Sequence, residues 1–273
     1  MKKTFELIKK YFNNDNMFTK ILYVLLNLII IINTIIEIIN GNITNIAICI
    51  VSIILLFLTN FLEKKLNIKV PSLLKILIYL YIFGTQILGE VNHFYLRVKY
   101  WDKIFHGLHG IIGSSIGFSL VYLLNKNSIH KIFKPFFVVL TAFCISISIS
   151  VIWEVMEYTS NIIFKTDSQN DRYISSINTV FLDSKKEGNV IKIDDINYVV
   201  LYDKNNNELK KLNGYLDIGL FDTMNDLIIN IVTSLLFCFY SYLYLLNKEK
   251  YCVINNFVIN KYSRSIYGKD NRN

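Results

Sequence analysis

Residues Tyr100–Gly113, YWDKIFHGLHGIIG, carry Asp102, His106 and His109 and then enter an uncharged apolar run. Spacings of four and three residues place these three polar side chains on one face of a helix. The apolar run continues to Asn125. A helix needs ~20 mainly apolar residues to cross the hydrocarbon core of a bilayer, and Ile104–Asn125 meets that length. The stretch therefore reads as the mouth of a membrane span, with an acid and two histidines at its rim.

Working outward, five more blocks approach or reach spanning length: Ile21–Ile39, Ile46–Leu62, Leu73–Gly89, Phe136–Phe164 and Met224–Leu246. The chain is 53% hydrophobic, and its apolar residues fall in these blocks rather than in amphipathic stripes, which excludes disorder and argues against a soluble domain. The expected fold class is an all-α integral membrane protein: a six-transmembrane-helix bundle with a small extracytoplasmic β-rich or irregular loop insertion. Residues 1–20 form a cytoplasmic N-terminal segment, read as a short interfacial helix. Residues 21–164 hold spans one to five, 165–221 the polar loop, 222–246 the sixth span and 247–273 a basic cytoplasmic tail.

The net charge of +8 is informative through its placement. Lys2, Lys3, Lys9, Lys10 and Lys20 precede the first span; Lys64, Lys65 and Lys69 follow the second; Lys126, Lys131 and Lys134 follow the fourth. Lys248, Lys250, Lys261, Arg264, Lys269 and Arg272 follow the sixth. By the positive-inside rule both termini are cytoplasmic, in the cell membrane. Arg97, Lys99 and Lys103 run against that bias. No basic-aromatic pattern suggests nucleic acid. The first block lacks a small-residue cleavage site and reads as a retained span. Cys49, Cys144, Cys238 and Cys252 imply no disulfide framework and no CxxC zinc pair.

Within the spans, Glu37 reads as a carboxylate snorkelling to the headgroups. Pro71 opens the third span. Gly107, Gly110, Gly113 and Gly117 clear one face of the fourth for close helix contact. In the polar loop, Val190–Ile193 and Tyr198–Tyr202 read as strands around a turn at Asp203–Asn207, giving a β-hairpin or three-strand cap.

With both termini inside, three helix ends converge on the outer side. Asp102, His106 and His109 start span four, Glu154 and Glu157 end span five, and Asp222, Asp226 and Asn230 start span six. Ionisable groups in a span are expensive, ~2.5–3.5 kcal/mol each near the centre on insertion scales, and clustered acids repel unless protons or a cation intervene. Asp, Glu and His together suit a divalent ion such as zinc, iron or manganese. The metal-ligand candidates are Asp102, His106, Glu154, Glu157, Asp222 and Asp226, with His106 or Glu157 as acid/base and His109 as ligand or proton carrier. The bland alternatives are capping roles for Asp222 and Asp102, and a packed, hydrogen-bonded His106.

The ordered motifs YWDKIFHGLHG, WEVMEY and GYLDIGLFDTMNDL resemble those of the YjdF-like multi-pass bacterial membrane proteins. The shared pattern falls on Asp102, His106 and Gly110, on Trp153, Glu154 and Glu157, and on Asp222, Thr223 and Asp226. The segment TDSQND resembles the family's D-x-Q-x-D and marks Asp167, Gln169 and Asp171. His109 lies outside the pattern. A weaker similarity is to VanZ-like proteins, through Asp102, Lys103, His106, Glu154, Asp226 and Asn230. The resemblance implies a polar site without naming a reaction.

Three functions are compatible with these features. One is a metal-dependent hydrolase or transferase acting on a lipid or lipid-linked envelope substrate. Another is a cation- or proton-coupled transporter, against which the deep halves of the spans look almost free of polar groups. The third is a scaffold whose acids and histidines form a structural network.

Overall fold

The computed structural model describes residues 16–127 and 133–261. Most of the N-terminal segment expected as an interfacial helix, with Lys2, Lys3, Lys9 and Lys10, lies outside the described residues. So do Lys131 and the tail residues Arg264, Lys269 and Arg272. Among the described residues, six helices are long and apolar enough to cross a membrane. They are α1 (Met17–Asn40), α2 (Ile43–Lys65), α3 (Ser72–Ile82, prolonged by a π-helix over Phe83–Val91), α4 (Trp101–Asn127), α5 (Pro135–Phe164) and α6 (Leu220–Leu246). The chain is an all-α multi-pass membrane protein with small strand pieces.

Caps explain where the first helices stop. Gly41 adopts φ +71° after α1, and the Asn42 N–H returns to the Glu37 carbonyl at 3.0 Å, a Schellman-type closure that suits glycine. Asn42 then caps α2 by accepting from the Asn45 N–H. Glu37, expected to reach headgroups, instead accepts from Asn45 Nδ2 at 3.0 Å and ties the two helices together. Ile21, Leu25, Leu28, Ile32 and Ile36 face outward from α1. Such a surface is unfavourable in water and matched in hydrocarbon.

The chain divides into two compact units. The first holds residues 1–150 and 227–273. In it, Leu26 and Ile30 of α1, Cys49 and Leu56 of α2, and Tyr79, Phe83 and Ile87 of the third span form one core. Phe118 and Tyr122 of α4, Val138 and Ala142 of α5, and Phe237 and Tyr244 of α6 form another. The third span was expected to be uniformly helical over Leu73–Gly89. The structure instead has π-turns over Phe83–Val91, a stretch whose glycines receive bulky rings: Phe105 sits against Gly84 and Tyr95 against Gly89, and Trp101 donates to the Gly84 carbonyl at 3.1 Å.

The glycine face of α4 lets two helices approach. A Cβ at Gly117 would meet the Ala142 carbonyl at 3.0 Å, and one at Gly110 would meet the Asn230 carbonyl at 2.8 Å and collide with Thr233. Gly110→Val therefore lowers stability by about 1–3 kcal/mol through overpacking. Gly107→Ala changes it little, since its nearest neighbours would lie at 3.5 and 3.7 Å. Thermal melts of the two purified variants, compared with wild type, check the contrast.

Two features of this unit were not foreseen. Glu63 and Lys75 form a fully buried ion pair, and Glu63 also accepts from the Val70 N–H at 2.9 Å. Beside it, Tyr79 donates to Asn60 at 2.8 Å. In addition, part of the C-terminal region does not trail away as a simple tail. The Phe257 carbonyl accepts from Ser115 at 2.6 Å, the Ile259 N–H donates to Ser119 at 2.9 Å, and β8 (Asn260–Lys261) pairs with β1 (Ile68–Lys69).

The second unit spans residues 151–226. Its polar loop holds six strands in three antiparallel pairs, not one hairpin or a three-strand cap. β2 (Arg172–Ile174) pairs with β7 (Tyr215–Asp217), β3 (Ile177–Thr179) with β4 (Ile191–Ile193), and β5 (Val199–Tyr202) with β6 (Glu208–Leu212). Four of the six strands are three residues long, too short to show alternation in sequence. Side-chain carboxylates hold the turns. Asp203 accepts from the N–H groups of Asn205 and Asn207, both at 2.8 Å. Asp183 accepts from those of Asn189, Glu187 and Lys185. The Asn189, Lys185 and Glu187 amides hold the Asp183 carboxyl below its usual range.

Candidate metal centre

Asp102 and His106 occupy successive turns at the start of α4. His106 Nε2 lies 3.3 Å from Asp102 Oδ1, and Lys103 Nζ lies 3.1 Å from the other carboxylate oxygen. The i, i+4 spacing makes the first contact automatic once the helix forms. Asp102 is the second residue of the helix and pairs with side chains instead of acting as its cap.

One turn further along α4, Gly110 admits the backbone of α6 at Asn230, with Thr233 and Ser234 beside it. Ligand atoms of Asp102, His106 and Asp226 all lie within 4.8 Å of one another. Asp226 is 1% exposed and His106 6%, whereas the Asp102 side chain retains 20% and gives the group its access to solvent. Three such groups this close together could hold one divalent cation. Two carboxylates and one imidazole are the hard and borderline donors preferred by manganese, iron or zinc.

Below this group the helices are not free of polar atoms, contrary to the sequence expectation. Ser146 Oγ lies 2.8 Å from Ser234 Oγ, both serines reach the Gly110 carbonyl, and Ser234 contacts Asn230 Oδ1 at 3.4 Å. Ser114, Ser150 and Ser241 are also buried. A few serines leave a block long and uncharged, so the block still reads as a span. The amide nitrogen of Asn230 is buried without a hydrogen-bond partner among the described residues. Such a group is unusual and marks a place for water or a ligand oxygen.

The remaining sequence candidates are placed as follows. His109 is buried on α4, its ring 5.9 Å from that of Tyr81. Glu154 is buried in the second unit. Glu157 accepts from Trp153 Nε1 at 2.8 Å. Asp222, considered as a helix cap, is the third residue of α6 and accepts from the backbone and side-chain amides of Asn170 at 3.1 and 3.2 Å. The capping carboxylate belongs to Asp217, which takes the Phe221 N–H at 3.0 Å. Gln169 is buried and donates to Thr223 at 2.6 Å, so it orders the loop against the start of α6. Asp167 and Asp171 are exposed. Desolvation, followed by the nearby Asp167 and Asp217 carboxylates, raises the Asp171 carboxyl above its usual range.

The family of predicted membrane proteins designated DUF2238 matches residues 21–247. An uncharacterized protein of Thermotoga maritima is 27% identical over 99 residues, which are 36% of this chain and 50% of that protein; the chain thus spans half the length of this relative. No solved structure matches. The family match runs through every span and takes in Asp102, His106 and Asp226, and on it the chain belongs to the DUF2238 family of predicted membrane proteins.

Proposed function

We propose that this chain is a bacterial YjdF-like membrane protein, a metal-dependent hydrolase or transferase that acts on a lipid or lipid-linked envelope substrate. The observation that carries the reading is the buried convergence of Asp102, His106 and Asp226 from two helices. Asp102, His106 and Asp226 hold the ion, and three protein ligands leave coordination positions open. When bound, a divalent ion supplies Lewis acidity and an activated water. His106 is a ligand in this assignment, which leaves the buried His109, one turn along α4, as proton carrier. Lys103, beside Asp102, offers a positive charge to an anionic headgroup. The positive-inside pattern puts this end of α4 and α6 outside the cell and both termini in the cytoplasm.

Elemental analysis of detergent-purified protein tests the reading. Wild type is expected to carry about one equivalent of manganese, iron or zinc, and His106→Ala less than a tenth of that, a loss of the size that removing a ligand produces. Equal metal content in the two proteins overturns the assignment. A second reading, proton or cation movement, is favoured by the Asn230–Ser234–Ser146 ladder. Metal-free wild type that passes protons into liposomes, with Asp226→Asn inactive, selects it instead.

A further inference from the structure

A cavity of about 410 Å³ lies along the middle of α6, its lining starting at Thr233. Its walls are Ile111 of α4, the Thr233–Leu236–Phe237–Tyr240 face of α6, and the returning C-terminal segment from Lys250 to Phe257. The volume falls within the range of ligand pockets, ~300–1,000 Å³. Ile111, Leu236, Phe237, Val253, Ile254 and Phe257 make the lining apolar, and Lys250 is its one charged residue among the described residues. The Lys250 side chain is exposed and rests over the Tyr251 ring, 5.4 Å from its centroid. Two residues earlier in the chain, Lys248 donates to the Tyr122 hydroxyl at 2.9 Å.

We infer that this cavity takes one acyl chain of an anionic phospholipid, with the headgroup at Lys250. Three observations identify the occupant. The α6 wall belongs to a membrane span, and Leu236 and Tyr240 on it are 56% and 53% exposed, so the mouth opens towards lipid rather than water. After Thr233 the α6 wall is made by Leu236, Phe237 and Tyr240, which suits a chain of methylenes lying along the helix. The cation stands past the end of the span, where headgroups lie, over the ring of Tyr251, a residue type of the interfacial belt. This site shares no residue with Asp102, His106 or Asp226, so it stands or falls independently of the metal assignment.

The test uses full-length protein in neutral detergent, titrated with phosphatidylglycerol or phosphatidylcholine of identical chains and read by native mass spectrometry. Phosphatidylglycerol is expected to be retained the more strongly. Lys250→Ala removes about fivefold of that preference, the effect of one lysine near an anionic surface, and leaves phosphatidylcholine unchanged. Val253→Trp, at an exposed wall position, fills the cavity and weakens both lipids without altering the melting temperature. Equal retention of the two lipids by wild type, or a preference that survives Lys250→Ala, overturns the headgroup assignment. Undiminished lipid in Val253→Trp overturns the cavity assignment.

Discussion

Lys75→Met is expected to lower the stability of the protein by about 3–5 kcal/mol, although methionine keeps most of the length and apolar bulk of the lysine stem. Lys75 is 0% exposed and pairs with Glu63, itself 5% exposed. Removing the cation leaves a carboxylate in a place that water does not reach, with the Val70 N–H as a much weaker counterpart. The charge, and not the packing, is the source of the loss. For that reason Lys75→Met combined with Glu63→Gln should recover to within about 1 kcal/mol of wild type, because a neutral amide still accepts from Val70 and no buried charge remains. Chemical unfolding of the three purified proteins measures both quantities. A single variant as stable as wild type, or a double variant no better than the single, would rule the argument out. The effect should also spread. Glu63 fixes Val70, which follows β1, and β1 pairs with the C-terminal β8. In Lys75→Met the segment after Tyr251 should be cut faster by protease than in wild type, before the bundle itself unfolds.

The same pair marks one limit of what could be read beforehand. The spans were legible because spanning length and an absence of charge are properties of a block, and Ile46–Leu62 or Met224–Leu246 needs no knowledge of neighbours to be recognised. Glu63 and Lys75 sit at the margins of two such blocks, where a charge ordinarily reaches water. Only the packing of α2 against α3 takes both out of solvent and makes them partners. The π-helix over Phe83–Val91 was hidden for a related reason. Its sequence, FGTQILGEV, is helix-compatible, and the rings that sit against its glycines, Phe105 and Tyr95, come from later residues. The return of residues 257–261 onto Ser115 and Ser119 depends on contacts about 140 positions apart in the chain. In the candidate centre, the Asp102–His106 contact follows from i, i+4 spacing alone. Spacing also puts Asp226 and Asn230 on one stripe of α6. What spacing leaves undetermined is the rotation of a helix about its axis relative to the others. Gly110 settles this for α4 and α6, since one side of α4 alone lets the Asn230 carbonyl come close.

Metal binding should appear as stability, and in a pattern that a structural network would not produce. Asp102 and Asp226 bring two carboxylates into a group whose ligand atoms lie within 4.8 Å, and Asp226 is almost wholly removed from water. Without an ion, mutual repulsion and desolvation weaken such a group. With one, they become its ligands. At a free metal concentration roughly 100-fold above its dissociation constant the folded state gains about 2.7 kcal/mol. For a chain of this size that is a rise of roughly 5–10 °C in melting temperature. Manganese or zinc added to chelator-treated wild type should give a shift of that order, and His106→Ala and Asp226→Asn should give none. The second half of the expectation concerns the metal-free proteins. If Asp226 served only a hydrogen-bond network, Asp226→Asn would lose a charged acceptor in a buried position and fall by about 1–3 kcal/mol. If Asp226 is there for a cation, the asparagine relieves repulsion that the aspartate suffers without its metal. The metal-free variant should then melt within about 2 °C of metal-free wild type, less than 1 kcal/mol. A stable but metal-blind Asp226→Asn supports the centre. A variant that is unstable in both states, or one that still gains the full shift from metal, shows that the acid is structural or that the ion binds elsewhere.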